Sequence, residues 1–309
     1  VASMGHRHRA GCLIAVRAAS MPDSALLKDL TNCASPETLL AAIFRHYPDL
    51  QSPTDVLTIA RSVGIADIRD LEMETSLSML TVDTASREAV IHCAPGLSAQ
   101  RRRGVAAHQL GHFLLDPQNG HKQCGPREFA ESRRDTPEHK QEMQANRFAA
   151  GLLMPKPLFV ASMEALGKPA ITHLLDLAAA FDVTLEAAVT RYADLTHTIC
   201  AFLFIKNGVM RFARPSRFFP PLSIQSGDPA PQSVKGATPQ DRIKWLAAEA
   251  RDWIPTSRET RAPKLSMQIL TKSNGFQLVM LFANAAAERR ADEEAEKDAT
   301  ERVKFGQRR

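Results

Sequence analysis

Two histidines one helical turn apart offer the clearest chemistry in this sequence of 309 residues. His108 and His112 stand at positions i and i+4, so on a helix both imidazoles lie on one face and can reach a single metal ion. Zinc hydrolases use this spacing with a glutamate after the first histidine, whereas this chain has Gln109 there. The pair alone is a weak indication, because a catalytic zinc site needs a third protein ligand and leaves its fourth position to water.

A second segment offers that third ligand. Glu142 and Asn146 would share a helical face with Ala145 and Ala149, and these small residues would let their helix pack closely against the one that carries His108. Glu142 would then reach the metal, and Asn146 would hold a ligand histidine in one tautomer. Two histidines and a glutamate are the ligands of thermolysin-type hydrolases. The alternative is that Glu142 is an ordinary solvated acid.

Two further histidines and two cysteines lie near these segments but have no defined spacing to the histidine pair. His121 and Cys124 fall in a polar stretch and are interpreted as ordinary loop residues, with metal ligation as the alternative. His92 and Cys93 are expected to be residues of a strand.

Capping residues and apolar spacing predict the helices that position these side chains. Ser98 would cap a helix that reaches about Leu115, and residues 136–138, Thr-Pro-Glu, would begin a helix that runs to Met154. Residues 36–65 are predicted to be helical, and residues 170–195 to form a helical pair whose second helix is capped by a threonine, Thr184.

Strands are predicted from short β-branched runs, and four of them form two hairpins with Asn-Gly turns, at Asn207-Gly208 and Asn274-Gly275. The predicted strands are Ser78–Asp83, Ala89–Cys93, Ile199–Ile205, Val209–Phe212, Met267–Leu270 and Phe276–Phe282. Residues 215–238 are expected to be a long loop. A helix is expected near 238–254, with Trp245 and Trp253 as core residues.

The composition excludes several classes of protein. With 44% hydrophobic and 24% charged residues the chain is typical of globular proteins, and no apolar run approaches the roughly 18 residues of a membrane helix. The formal net charge of +5 falls to +2 without the three arginines of residues 1–20, which gives no support for nucleic-acid binding. Five widely spaced cysteines without a CxxC pair argue against a disulfide framework and favour the cytoplasm.

Two blocks of the sequence resemble the ImmA/IrrE family of bacterial zinc metallopeptidases. Residues 101–115, RRRGVAAHQLGHFLL, are similar to the metal-binding helix of that family, and residues 142–155, EMQANRFAAGLLMP, to its second helix. The resemblance is strong over about residues 54–160 and weaker to about residue 283. It implies a zincin-like domain with Zn²⁺ held by His108, His112 and Glu142. It also implies transcription regulation by cleavage of a helix-turn-helix repressor, which switches on mobile-element or stress-response genes.

Gln109 departs from the family at the residue that transfers the proton. The resemblance implies a glutamate that takes a proton from metal-bound water and passes it to the leaving amine. A glutamine amide carries no such proton, and general acid–base catalysis is typically worth about 10²–10⁴ in rate. We therefore expect a retained metal site with impaired or lost peptide hydrolysis, whether Gln109 is natural or engineered. Asp116, Glu128 or Glu131 is an alternative base, and Gln109→Glu should raise cleavage.

Together these features predict an α+β protein of several parts. Residues 1–35 are expected to be disordered or to precede the true start, and residues 285–309 to be a charged tail. Between them we expect a zincin-like metallopeptidase domain (36–160), a helix-turn-helix-like helical segment (161–196) and a small C-terminal α/β domain (197–284), GAF-like as in some relatives. The strand Met79–Val82 or Val90–Cys93 is expected to be a sheet edge that receives substrate by strand addition.

The helical pair is poorly suited to sequence-specific DNA binding, because its second helix lacks several basic or amide side chains. The side chains it offers are Glu186, Thr190, Arg191 and Asp194. The expected partner is therefore a protein, a helix-turn-helix repressor, without membrane association. Two alternatives stay open. One is a non-catalytic zinc-binding protein that binds a repressor or a small ligand as a sensor. The other is a DNA-binding regulator whose salt-dependent affinity depends on Arg191.

Overall fold

The structure is a computed structural model that describes residues 22–83, 88–116, 121–126, 136–237, 243, 245–255 and 264–283. The helices in these ranges are α1 (Ser24–Leu30), α2 (Pro36–His46), α3 (Val56–Ser62), α4 (Ala99–Leu115), α5 (Pro137–Leu153), α6 (Lys156–Leu166), α7 (Ile171–Ala180), α8 (Leu185–Leu195) and α9 (Gln232–Lys235). The strands are β1 (Ile65–Asp70), β2 (Ser78–Val82), β3 (Ala89–Cys93), β4 (His121–Cys124), β5 (Cys200–Lys206), β6 (Val209–Pro215), β7 (Leu246–Ala248), β8 (Leu265–Thr271) and β9 (Phe276–Ala283). The fold is mixed α+β, as predicted, with two sheets among the described residues.

The first sheet has the strand order β1-β3-β2-β4. β1 runs parallel to β3, whereas β2 is antiparallel to both β3 and β4. The prediction that Met79–Val82 or Val90–Cys93 is a sheet edge is wrong, because the strands β2 and β3 that contain them are each paired on both sides. Within the described residues the outer strands are β1, which was not predicted, and β4, which was assigned to a polar loop.

The helices α4 and α5 begin at the predicted caps and pack closely together. Ser98, Thr136 and Thr184 each accept a backbone N–H in the first turn of α4, α5 and α8, respectively. Gly111 of α4 lies against the backbone of α5, so that a Cβ at this position would be 3.1 Å from Ala145 Cα. Small residues therefore bring the two helices together, as the sequence predicted.

Two arginines fix the first turn of α4 to its neighbours. Arg102 Nε donates to Asp70 Oδ1 of β1 at 3.0 Å. Arg103 donates to Asp182 Oδ2, in the turn between α7 and α8, and to the carbonyl of Thr54, both at 2.8 Å. Arg102 and Arg103 therefore hold the N-terminus of α4 between the first sheet and the helical pair formed by α7 and α8.

The second sheet is antiparallel throughout, with the strand order β6-β5-β9-β8-β7. Both predicted hairpins are present, β5–β6 and β8–β9. In the first turn Asn207 and Gly208 have φ angles of 51° and 74°, the left-handed conformation that Asn-Gly favours. In the second turn, where Asn274 precedes Gly275, it is the glycine that has a positive φ, 78°.

The prediction of a helix near 238–254 is wrong for the residues of this range that the structure describes. Leu246–Ala248 forms β7, because its backbone pairs with β8, and Ala250–Asp252 forms a single 3₁₀ turn. Trp253 is fully buried, as expected for a core residue, whereas Trp245 is 45% exposed.

One apolar core joins α1–α8, the first sheet and one face of the second sheet. Leu26 and Leu30 of α1 belong to this core, so the prediction of disorder over 1–35 is wrong for that helix. Residues 1–21 and the predicted tail, 285–309, lie outside the described residues. A second core surrounds Trp253 on the other face of the second sheet. In the described part of the chain, no helix combines the length and apolar character that a membrane span requires.

Candidate metal centre

The structure brings His108 and His112 together on the buried face of α4. His108 is 0% exposed and His112 is 5% exposed, and their Nε2 atoms are 3.0 Å apart. Burial, assisted by the neighbouring His112, lowers the pKa of His108, so this imidazole is neutral, which is the form that binds a metal. His108 Nδ1 lies 2.9 Å from Asn146 Oδ1, the contact expected to fix the tautomer.

Glu142 of α5 faces both histidines and is 7% exposed, so it is not a solvated acid. Its Oε2 lies 3.2 Å from His108 Nε2 and 3.1 Å from His112 Nε2, and its Oε1 accepts a hydrogen bond from Lys122 Nζ at 2.8 Å. Burial by itself raises the pKa of this carboxyl, but the contacts with His108, His112 and Lys122 outweigh burial and hold the pKa far below its usual range. Glu142 is therefore an ionised carboxylate inside the protein.

Cys124 is the member of this group for which the sequence analysis preferred an ordinary loop residue and kept metal ligation as the alternative. It lies on β4, is fully buried, and places Sγ 3.6 Å from His112 Nε2 and 3.8 Å from Glu142 Oε2. Among the described residues, His108, His112, Cys124 and Glu142 form the one group whose potential ligand atoms all lie within 4.8 Å of one another. The interpretation of Cys124 as an ordinary loop residue is corrected, because a strand carries it into the site. His121 of the same strand is exposed.

Gln109 is fully buried next to His108 in α4. Its Nε2 donates to Ser78 Oγ of β2 at 2.7 Å, and its Oε1 has no hydrogen-bond partner among the described residues. The amide therefore connects α4 to the first sheet, and it has no proton to transfer at neutral pH.

The acids considered as substitute bases are placed differently. Asp116 follows the last residue of α4 and accepts a hydrogen bond from Gln141 Nε2 of α5 at 3.3 Å. Glu128 and Glu131 lie outside the described residues. The carboxylate within the four-residue group is Glu142, and Lys122 already binds one of its oxygens.

The donor atoms of this group fit a divalent metal ion. Imidazole nitrogen, thiolate sulfur and carboxylate oxygen are all zinc ligands. Three of these atoms, His108 Nε2, His112 Nε2 and Glu142 Oε2, lie within 3.2 Å of one another in a buried space. Lone pairs that converge so closely repel one another, and a shared cation relieves that repulsion.

A buried group of two histidines and a glutamate, contributed by two adjacent helices beside a mixed sheet, could hold a metal ion and has the donor set of metallopeptidase zinc sites. Residues 63–192 match the Peptidase_M78 family, described as an IrrE N-terminal-like domain. The chain thus contains a domain of that family, which confirms the resemblance to ImmA/IrrE proteins.

A solved structure supports the fold over a longer part of the chain. The structure is described as a Mycobacterium tuberculosis transcriptional regulator. The alignment covers 81% of this chain and 89% of that chain, with a TM-score of 0.51 and 16% sequence identity. At this identity the likeness concerns the fold alone. No curated protein matches the sequence.

Proposed function

We propose that the chain is a regulatory protein built on a zincin-like metallopeptidase domain. His108, His112 and Glu142 hold Zn²⁺, and Gln109 leaves peptide hydrolysis impaired or absent. The observation that carries this proposal is the pairing of a buried, converging ligand group with an amide that is hydrogen-bonded to Ser78.

The side chains around the site divide into those that hold a metal and those that would move a proton. When bound, Zn²⁺ acts as a Lewis acid and lowers the pKa of a bound water. Asn146 holds His108 with Nε2 toward the site. The ammonium group of Lys122 pairs with Oε1 of Glu142 and so stabilises the ionised carboxylate. Gln109 replaces the residue that would accept and release the proton. The metal-holding part is therefore complete, and the proton-transfer part is missing.

The proposed domains are those predicted from the sequence: the zincin-like domain over 36–160, the helix-turn-helix-like segment over 161–196 and the GAF-like domain over 197–284. The antiparallel second sheet, with a core on each face, is compatible with a sensor domain. In this proposal the protein works in the cytoplasm.

Support for a regulatory role comes from the likeness in fold to a structure that is called a transcriptional regulator. The proposed partner is a helix-turn-helix repressor, and the helical pair makes no direct contact with DNA. Arg191, the basic residue of the set considered for DNA reading, donates Nε and Nη2 to the carbonyl of Met154 at 3.1 and 2.9 Å. Its guanidinium is therefore engaged within the protein.

The alternative is a non-catalytic pseudo-peptidase that binds zinc and uses its C-terminal domain to sense a repressor or small ligand. The buried hydrogen bond between Gln109 and Ser78 favours this alternative, because it gives Gln109 a structural role that needs no turnover. The two functions differ in one outcome, cleavage of the partner.

The first test is the zinc content of the purified chain, measured by mass spectrometry beside two histidine variants. We expect about one zinc per chain, lost in His112→Ala and kept in His121→Ala, because His112 is buried in the ligand group and His121 is exposed on β4. A folded wild-type chain that takes up no zinc from zinc-replete buffer would contradict the metal site and with it the proposed function.

The partner is tested with a helix-turn-helix repressor encoded next to the gene. We expect the two proteins to elute together in gel filtration, with the intact mass of the repressor changing slowly or not at all. Rapid cleavage by the wild-type chain would show that Gln109 does not impair hydrolysis, and separate elution would exclude this repressor as the partner.

A further inference from the structure

We propose that Cys124 Sγ is a fourth protein ligand, which closes the metal site and takes the position that water holds in catalytic zinc sites. The inference rests on the proposed function, since it concerns the same metal. Structural zinc sites have four protein ligands, whereas catalytic sites have three and a water molecule. The coordination number therefore decides whether this domain can hydrolyse anything.

Five of the six distances among the four ligand atoms are close to the edges of one tetrahedron, and all four atoms lie within 4.8 Å of one another. Zinc–nitrogen and zinc–oxygen bonds of about 2.0–2.1 Å give edges of about 3.3 Å, and a zinc–sulfur bond of about 2.3 Å gives edges of about 3.6 Å to nitrogen or oxygen. The edges among the two Nε2 atoms and Glu142 Oε2 are 3.0, 3.1 and 3.2 Å. The edges from Cys124 Sγ to His112 Nε2 and to Glu142 Oε2 are longer, 3.6 and 3.8 Å, as the larger sulfur atom requires.

The register of β4 delivers Cys124 to this position. Cys124 pairs with Ser78 of β2, the residue that accepts the hydrogen bond of Gln109. Side chains alternate along a strand, so Cys124 shares its face with Lys122, while His121 and Gln123 are exposed on the other. Both side chains of the inner face therefore meet Glu142.

Lys122 completes the arrangement by limiting Glu142 to one ligand oxygen. Lys122 Nζ binds Oε1 at 2.8 Å, and this leaves Oε2 for the metal. Two neutral imidazoles, one thiolate and one carboxylate balance the charge of a divalent ion, with the thiol proton released to solvent on binding. Charge balance between the ion and its four ligands reduces the large desolvation cost of a buried ion, and Lys122 adds one further positive charge at Oε1.

This inference changes what Gln109→Glu is expected to do. A glutamate at position 109 would act on metal-bound water, and a closed site holds none. Restoring the glutamate alone therefore leaves hydrolysis absent.

Two spectroscopic measurements test the ligand directly. In the zinc-loaded wild-type chain, X-ray absorption at the zinc edge should show one sulfur at about 2.3 Å. In the cobalt-loaded chain, a thiolate-to-cobalt charge-transfer band should appear in the near ultraviolet, vanish in Cys124→Ser and remain in Cys93→Ser. Cys93 is the matched control, because it is equally buried on β3 of the same sheet and lies outside the ligand group.

The outcomes separate this inference from the function on which it rests. Stoichiometric metal with only nitrogen and oxygen neighbours would overturn the fourth ligand and leave the site of two histidines and a glutamate in place. A wild-type chain that binds neither zinc nor cobalt would overturn the proposed function itself. If Cys124→Ser does not fold, the X-ray absorption spectrum of the zinc-loaded wild-type chain still shows whether sulfur is a ligand.

Discussion

The contact between His108 Nδ1 and Asn146 Oδ1 determines which nitrogen of the imidazole faces the ligand group. A carbonyl oxygen only accepts, so Nδ1 carries the proton and Nε2 keeps its lone pair for a metal. Groups that orient ligand histidines in this way typically change metal affinity by about 10–100-fold when they are removed.

We expect Asn146→Ala to weaken zinc binding by about 10–100-fold, measured by competition with a chromophoric chelator, while the fold is kept. Gln144→Ala is the matched control, because Gln144 is exposed on the same helix two residues away. Equal affinities for the two variants would show that Asn146 does not orient the ligand.

At the residue scale, the sequence was sufficient where the ligands follow from local spacing and insufficient where they follow from strand register. His108 and His112 are one turn apart, and Asn146 is one turn from Glu142, so a helix places each pair without further information. Cys124 enters the site only because β4 pairs with β2, a contact between segments that no local pattern links. The segment 121–124, His-Lys-Gln-Cys, contains no β-branched residue and no apolar alternation that would have predicted a strand.

The close approach of α4 and α5 positions the site at the level of secondary structure. Gly111 makes this approach possible, since a Cβ there would meet Ala145 Cα at 3.1 Å, Ala145 O at 3.2 Å and Phe148 Cδ1 at 3.2 Å. Two of these three atoms belong to the backbone of α5, which yields less easily than a side chain. The absence of a side chain at Gly111 is therefore one condition for the close approach of α4 and α5.

We expect Gly111→Ala to destabilise the protein by about 1–3 kcal/mol through overpacking and to weaken zinc binding. Urea unfolding and chelator competition measure the two effects. Gly104→Ala is the control on the same helix, with nothing within 4 Å of its Cβ, and it should stabilise the helix by about 0.5–1 kcal/mol. If both alanines stabilised the protein alike, the close helix contact would be refuted.

The elements that the sequence predicted well are those with chemical end signals. Ser98, Thr136 and Thr184 cap their helices, and the Asn-Gly pairs join both hairpins. The failures are elements whose conformation depends on a distant partner. β1 exists through its parallel pairing with β3, and β7 through its pairing with β8, where a helix was expected.

At the scale of the whole molecule, the helical pair connects the second sheet to the end of α5. Tyr192 of α8 packs edge-on against Phe202 of β5, with ring centroids 5.8 Å apart. Gln268 Oε1 of β8 accepts the backbone N–H of Ile171 at the start of α7, at 2.8 Å. At the other end of the pair, Arg191 binds the carbonyl of Met154, which ends α5. The pair therefore has a structural role on both of its sides.

We expect Arg191→Met to lower the free energy of unfolding by about 1–3 kcal/mol, because it removes two hydrogen bonds from a charged donor. Arg147→Met is the comparison, since it breaks an exposed ion pair with Glu37 and should cost about 0–1 kcal/mol. Denaturant unfolding measures both. An Arg191→Met chain of unchanged stability that has lost salt-dependent DNA binding would instead support the DNA-binding regulator.

The four-residue group also has a consequence for the entropy of the unfolded chain. His112 and Glu142 are 30 residues apart in the sequence, so a metal shared between them closes a loop of that length. By the chain-entropy argument applied to disulfides, a permanent cross-link of this span would be worth about 3–4 kcal/mol. The loop contains the end of α4, all of β4 and the start of α5, and it excludes the second sheet. Metal binding should therefore stabilise the packing of α4, β4 and α5 against unfolding. The stability of the C-terminal strands should continue to depend on their own hydrogen bonds and core.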